Sequence, residues 1–173
     1  MKELNRRAFL KLSGASAALL ALAACGGGSS APAVPTGKEA KVLEALNLYR
    51  GKLSPLTLDS GLDPTMEIVV KLAKGEMPFD QKAAEALGKA YTYYNGLCAP
   101  IGVRMDNDST NVTPVCVYSD NAELMAQNLN NQLDESAKAN LKSPAIKLVN
   151  IKTFEYNGTT FWVALVAEGK VKP

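Results

Sequence analysis

The chain has 173 residues, of which 47 % are hydrophobic and 21 % are charged, and its formal net charge is +2. This composition is typical of a globular domain and excludes a fully disordered chain. Four of its 19 basic residues and one of its 17 acidic residues lie in the first 24 positions, so the rest is nearly neutral. Such a chain lacks the electrostatic footprint of a nucleic-acid-binding protein. It contains no histidine, which excludes Ser–His and Cys–His catalytic pairs and removes a common zinc ligand.

The first 24 residues have the three parts of an export signal. Residues 1–11 form a basic n-region, residues 12–24 form an apolar h-region, and small residues precede Cys25. An apolar helix of this length spans about 20 Å, which is too short for a hydrocarbon core of about 30 Å. We therefore predict a signal peptide over residues 1–24 and not a transmembrane anchor.

The n-region resembles a twin-arginine translocation motif, in which an Arg-Arg pair precedes Phe-Leu-Lys. The residues of this resemblance are Arg6, Arg7, Phe9, Leu10 and Lys11. An ordinary Sec signal with two adjacent arginines is the alternative.

The end of the signal resembles a bacterial lipobox. In Leu22-Ala23-Ala24-Cys25 the cysteine would be acylated and become the new N-terminus. A buried or disulfide-bonded Cys25 is the alternative, but it would not explain the apolar segment before it. Residues 25–37 are rich in Gly, Ser and Pro and predict a flexible tether. The pattern predicts an extracytoplasmic lipoprotein, periplasmic or on the cell surface, anchored to the membrane through Cys25.

Two cysteines, Cys98 and Cys116, lie in the expected domain, residues 38–173. An even pair in an oxidising compartment predicts a disulfide. Two free thiols are the alternative, because twin-arginine cargo folds in the reducing cytoplasm before export.

Helices dominate the first half of the domain. The predicted segments are a helix over about 38–50, an extended piece at 56–58, and helices over about 63–74 and 80–94. Their starts are marked by Thr36 with Glu39 as a capping box, by Asp63 before a proline, and by Asp80. The last of these helices would place Tyr91 and Tyr94 on one face.

The second half is predicted to supply the strands. Residues 115–118 are β-prone, and Asp120 with Glu123 would begin a helix as a capping box. Two strand-like segments, about 146–156 and 159–167, flank Asn157-Gly158, which is a strong hairpin signal. A change of inward-facing parity between Leu148 and Val149 predicts a bulge. The order predicts an α+β domain with helices packed on an antiparallel sheet and a C-terminal β-hairpin.

Three segments within residues 38–167 resemble the CAP superfamily, the cysteine-rich secretory protein and pathogenesis-related-1 type of domain (SCP domain). Residues 46–50, which read Leu-Asn-Leu-Tyr-Arg, are similar to its opening motif, residues 134–141 to its "SPGHRANL" segment, and the hairpin ending in Phe-Trp to its closing hairpin. The resemblance implies a three-layer α-β-α sandwich. It also implies structural motif residues at Asn47, Arg50, Asn140 and Trp162. Asn47 and Arg50 would then be buried hydrogen-bonding groups, and Trp162 a core residue.

The family's metal-binding cleft has two histidines and two glutamates, and this chain departs from that set. Ala137 stands at one histidine position and Val115 at one glutamate position, and the second histidine is absent. We therefore expect no metal and no other cofactor at these positions.

Other chemistry is weakly indicated. No Ser-x-x-Lys, Gly-x-Ser-x-Gly, Cys-x-x-Cys or P-loop pattern occurs. Asp106, Asp108 and Thr110 alternate like the start of a calcium loop, but its central glycine and closing glutamate are missing, which favours a solvated loop. Tyr91 and Tyr94 either pack on the sheet or form the wall of a candidate ligand groove.

These observations predict a non-catalytic envelope lipoprotein whose domain is a ligand-binding or protein-interaction module. The resemblance implies a small apolar ligand or an envelope protein as partner. Two alternatives are a hydrolase that uses a carboxylate pair and a purely structural lipoprotein. A deep groove lined by two or more converging acids would favour the hydrolase, and a groove lined with Tyr and aliphatic residues would favour ligand binding. A domain without a cleft would favour the structural role.

Overall fold

The structure, a computed structural model, describes residue 35 and residues 37–91, 94–105 and 111–170, all within the unit Pro32–Pro173. The predicted signal motif and lipidation site lie outside the described residues: Arg6, Arg7, Phe9, Leu10, Lys11 and Cys25. The calcium-like loop, residues 106–110, also lies outside them.

The described chain forms five α-helices, one short 3-10 helix and six strands. The helices are α1 (Lys38–Arg50), α2 (Asp63–Ala73), α3 (Gln81–Tyr91), α4 (Ala122–Gln132) and α5 (Glu135–Lys142), and the 3-10 helix is Ser60–Leu62. The strands are β1 (Thr57–Leu58), β2 (Tyr94–Ile101), β3 (Val103–Met105), β4 (Val112–Pro114), β5 (Leu148–Tyr156) and β6 (Thr159–Lys170).

Four strands form one sheet in the order β1-β5-β6-β2, and β3 pairs with β4 in a separate two-stranded sheet. The β5–β6 and β2–β6 pairs are antiparallel, whereas β1 is parallel to β5. The domain is therefore α+β with a C-terminal hairpin, as predicted, but its main sheet is mixed and not antiparallel. The direction of a two-residue strand such as β1 depends on a distant partner, which local sequence does not specify.

Two core clusters lie on opposite faces of this sheet. Alternate residues of β6 divide between them: Trp162, Ala164 and Val166 enter the first cluster, and Val163, Leu165 and Ala167 enter the second. Helices α1, α4 and α5 supply side chains to the first cluster, and α2 and α3 supply the second. A strand buried on both faces reads as a continuous apolar run, as residues 161–167 do.

The predicted bulge between Leu148 and Val149 is wrong. The pairing of β5 with β6 is continuous from Leu148 to Tyr156. Leu148 packs against the second cluster and Val149 lies in the first, so adjacent apolar residues need no change of register. The observed irregularity instead lies in β2, between Asn95 and Cys98.

Two predicted capping boxes are also wrong. Helix α1 has Gly37 as its N-cap without a side-chain cap, and the Glu39 carboxylate accepts a hydrogen bond of 2.8 Å from the Thr153 hydroxyl. Asn121 caps α4 by accepting from the backbone N–H of Leu124 at 2.9 Å. Asp120 accepts from the Tyr118 hydroxyl instead, and this bond raises the pKa of Tyr118 to about 12.

Element boundaries differ from the prediction in the middle of the chain. Helix α3 ends at Tyr91, and Tyr94 begins β2, so these tyrosines do not share a helix face. Residues 115–118 form no strand of their own, and Val117 lies in an isolated bridge to Phe161. No helix is predicted between the Asp120 helix and the hairpin, yet Asp134 begins α5 by accepting from the Ala137 N–H at 2.7 Å.

Candidate functional site

A cavity of about 420 Å³ lies beside β2, an edge strand of the sheet. Its walls come from α2, α3, β2, β3, β4 and α5. Most lining residues are apolar. Val69, Leu72 and Leu87 belong to the second core cluster, Phe79 packs against it, and Ala99 and Ala137 belong to the first. We call this space the β2 cavity. It forms where helices from both faces of the sheet meet at the sheet edge.

Small residues on α3 leave part of this space open. Ala84 and Gly88 line the cavity and are four residues apart, so they share one face of the helix. A Cβ atom built at Gly88 meets no heavy atom within 4 Å. This pair of small residues was the sequence signal that could have located the cavity.

The polar part of the wall comes from one segment. Asp134, Ser136 and Asn140 line the cavity at the start of α5 and within it. Asp134 and Ser136 are exposed, and Asn140 is half-buried. A pocket of a few hundred Å³ with apolar walls and a few polar groups is the usual form of a small-molecule site.

The lining offers poor acid–base chemistry. Asp134 is the one carboxylate among the described lining residues, whereas a glycosidase-type reaction needs two. One Asp134 oxygen is already engaged in capping α5. In the part of the chain that the structure describes, no group of three or more His, Cys, Asp or Glu could hold a metal ion.

Arg50 and Asn47 make structural hydrogen bonds and do not line the cavity. The Arg50 side chain is 3 % exposed, and burial lowers its pKa below the usual value. Its guanidinium donates to the carbonyl oxygens of Leu141 at 2.6 Å and Ile146 at 2.9 Å. The half-buried Asn47 accepts from the Leu56 N–H at 2.9 Å.

The other residues named by the resemblance lie in two different places, the wall of the β2 cavity and the first core cluster. Asn140 and Ala137 both line the β2 cavity. Trp162 is fully buried in the first core cluster, as predicted. Val115 packs against that same cluster and does not line the cavity.

The structure does not contain the predicted disulfide. Cys98 and Cys116 are free, buried thiols. Cys98 belongs to the second core cluster and Cys116 to the first, so they point to opposite faces of the sheet. A disulfide requires Cβ atoms that face one another. Burial raises the pKa of Cys98 to about 11 and that of Cys116 to about 12.

The structure describes only the backbone of Tyr91 and Tyr94, so a groove formed by their side chains lies outside what it describes. The described lining of the β2 cavity is mostly aliphatic, with Phe79 and three polar residues.

No protein-family model, curated protein or solved structure matches the chain. In the described ranges, no helix is both long enough and apolar enough to cross a bilayer.

Proposed function

We propose that this chain is a membrane-anchored bacterial lipoprotein with a CAP-like domain that binds a small, mostly apolar ligand and catalyses no reaction. The β2 cavity is the observation behind this proposal. Its size and its apolar walls suit a ligand, and the second carboxylate that a hydrolase would need is not among its described lining residues.

The CAP-like character is part of the proposal, in the form of a three-layer α-β-α sandwich. Core clusters on both faces of the sheet support it. The Arg50 hydrogen bonds give the Leu-Asn-x-x-Arg segment the structural role that the resemblance implies. Ala137 lies in the cavity wall at a position where that family has a histidine, so a ligand would contact an apolar surface there.

Binding is tested by filling the cavity. Gly88→Leu places a side chain into open space on a lining helix, while Ala139→Leu adds the same side chain at an exposed position of α5 that does not line the cavity. The full chain is held in phosphatidylcholine nanodiscs, and 1-octanol is the probe. The readout is the ¹³C-methyl resonance of Met105, which lines the cavity, with the buried Met125 as internal reference.

We expect 1-octanol to shift the Met105 resonance in the unchanged protein and in Ala139→Leu, and to lose most of this effect in Gly88→Leu. An equal response in all three proteins, or a Met125 shift as large as that of Met105, would contradict binding in the cavity. Met125 also reports whether each variant is folded.

The anchor is tested separately by Cys25→Ala. Because this change removes the expected acylation site, we expect the protein to leave the membrane fraction and to lose incorporation of an alkyne-labelled fatty acid. Ser29→Ala, in the same tether, is the matched control and keeps both properties. Membrane retention of Cys25→Ala with undiminished label would show that Cys25 is not the lipid acceptor.

A further inference from the structure

We propose that the ligand of the β2 cavity is a cationic amphiphile, with its alkyl body in the apolar wall and a protonated amine at Asp134. This inference rests on the proposed function and specifies the class of ligand. The relationship behind it is a carboxylate without an ion-pair partner among the described side chains, in the polar part of the wall of an apolar cavity.

The described lining residues carry one charge, and it is negative. Asp134 lines the cavity, and no Lys or Arg is among the described residues that do. The adjacent Glu135 pairs with Lys138 at 2.7 Å, and among the Lys and Arg side chains that the structure describes, none comes within ion-pair distance of Asp134. A positive ligand group would therefore meet a carboxylate that none of the described side chains neutralises.

The Asp134 carboxylate also retains acceptor capacity. Its Oδ1 accepts from the Ala137 N–H, while no described group donates to Oδ2. A carboxylate has about four acceptor positions on its two oxygens. An ammonium head, which has three donors, can use Oδ2 without disturbing the cap.

Two further polar side chains line the same cavity. Ser136 and Asn140 are four residues apart on α5, so they share the face that lines the cavity. No described residue hydrogen-bonds to either side chain. Hydroxyl and amide groups can accept the remaining ammonium donors, and they supply no positive charge that would repel the head.

An anionic head is disfavoured at the same place. A free helix N-terminus attracts anions through its exposed N–H groups. Here the Ala137 N–H is already occupied, and Asp134 and Glu135 place two carboxylates at the first turn. A fatty-acid carboxylate bound there would face Asp134 directly.

The test compares octylamine, 1-octanol and octanoate on the full chain in phosphatidylcholine nanodiscs at pH 7, again through the Met105 methyl resonance. Asp134→Asn removes the charge and keeps the helix cap, because Asn and Asp are equally good N-caps. Glu135→Gln is the matched control, since it removes a neighbouring charge that does not line the cavity. Each probe partitions into the nanodisc lipid to the same extent for every variant. Differences between variants measured with one probe therefore report binding to the protein.

We expect Asp134→Asn to weaken octylamine binding by about three- to five-fold, the range for a partly solvated ion pair. Asp134→Asn should leave the affinity for 1-octanol within about two-fold and increase the affinity for octanoate. Glu135→Gln should change none of the three affinities. The octylamine effect should shrink as salt rises from about 0.02 M to about 0.5 M, because exposed charges are screened.

The outcomes separate the two proposals. If none of the three probes shifts Met105, both proposals fail. If 1-octanol binds but Asp134→Asn leaves octylamine unchanged, or if octanoate is the tightest probe, the cationic ligand is wrong and the apolar site stands. Asp134→Ser, which also keeps a capping oxygen, replaces Asp134→Asn if the Met125 resonance shows that the latter is unfolded.

Discussion

Arg50 in the first helix donates a hydrogen bond of 2.6 Å to the carbonyl oxygen of Leu141, in the last turn of α5 and 91 residues further along the chain. The same guanidinium donates to Ile146, just before β5. The Arg50 side chain thus supplies hydrogen-bond donors to backbone carbonyl oxygens between the last turn of α5 and the start of β5. It also fixes α5, and with it one wall of the β2 cavity, against α1.

We expect Arg50→Met to lower the free energy of unfolding by about 3 kcal/mol. Methionine fills similar space but donates nothing, which leaves buried carbonyl oxygens without partners. Urea denaturation of the full chain measures the change. Lys52→Met, at an exposed position, is the control and should change the free energy by less than about 0.5 kcal/mol. Equal effects of the two substitutions would show that Arg50 is not a structural centre.

Gly102→Ala should destabilise the domain by about 2 kcal/mol. Gly102 has φ +87°, and a Cβ atom there would lie 2.8 Å from the carbonyl oxygen of Trp162. The substitution therefore combines backbone strain with a clash against the sheet backbone. The midpoint of urea unfolding measures it. A midpoint at or above that of the unchanged protein would contradict the close approach of these two segments.

Gly88→Ala should have the opposite effect and raise the free energy of unfolding by about 1 kcal/mol. Gly88 lies inside α3 and has open space around its Cβ position, so alanine gains helix propensity without a clash. The same urea titration compares it with Gly102→Ala. A loss of stability would indicate that residue 88 is more closely packed than the structure shows.

Cys98 and Cys116 should resist alkylation in the folded protein at pH 8. Only the thiolate reacts, and burial raises the pKa of these thiols to about 11 and about 12. Intact mass of the Cys25→Ala protein after treatment with iodoacetamide should show no added group without urea and two added groups in urea. A mass about two units low, with no labelling in urea, would instead demonstrate the disulfide.

The raised pKa values of Cys98 and Cys116 predict how the free energy of unfolding depends on pH. The pKa of each is raised on folding from 9.0, so the folded state retains protons that the unfolded state loses. Their contribution to stability is complete below pH 9 and declines as the pH rises towards 11 and 12. Urea unfolding at pH 8, 9.5 and 11 should show a steeper decline for the unchanged protein than for Cys98→Ala/Cys116→Ala. Parallel declines would assign the effect to other groups.

Local signals in the sequence led to correct predictions at several positions. Asn157-Gly158 forms the predicted turn between β5 and β6, with φ 49° and 74°. Asp80 caps α3, where it accepts from the Ala83 N–H at 2.8 Å. In each case the interaction is formed within a few residues, so the local sequence contains both partners.

The wrong predictions have two causes, a competing side chain nearby in the sequence and a pairing partner far along the chain. Asp120 is a residue type that often caps helices, but its carboxylate accepts a hydrogen bond from the Tyr118 hydroxyl, and Asn121 caps α4. The strand at Tyr94 looks helical by its apolar spacing, and it becomes a strand because β6 pairs with it. The thiols follow from the same cause, since β2 directs Cys98 to the face of the sheet opposite Cys116.

The sequence by itself determined the mixed α+β class, the closing hairpin and the absence of histidine chemistry, because these depend on composition and on contacts between near neighbours. Only the tertiary structure decided that β1 runs parallel to β5, that both faces of the sheet are covered, and that a cavity lies beside β2. The cavity combines residues from 69 to 140. Its shape depends on how closely α2, α3 and α5 approach the sheet edge, and that approach is set by packing between segments that are distant in the sequence.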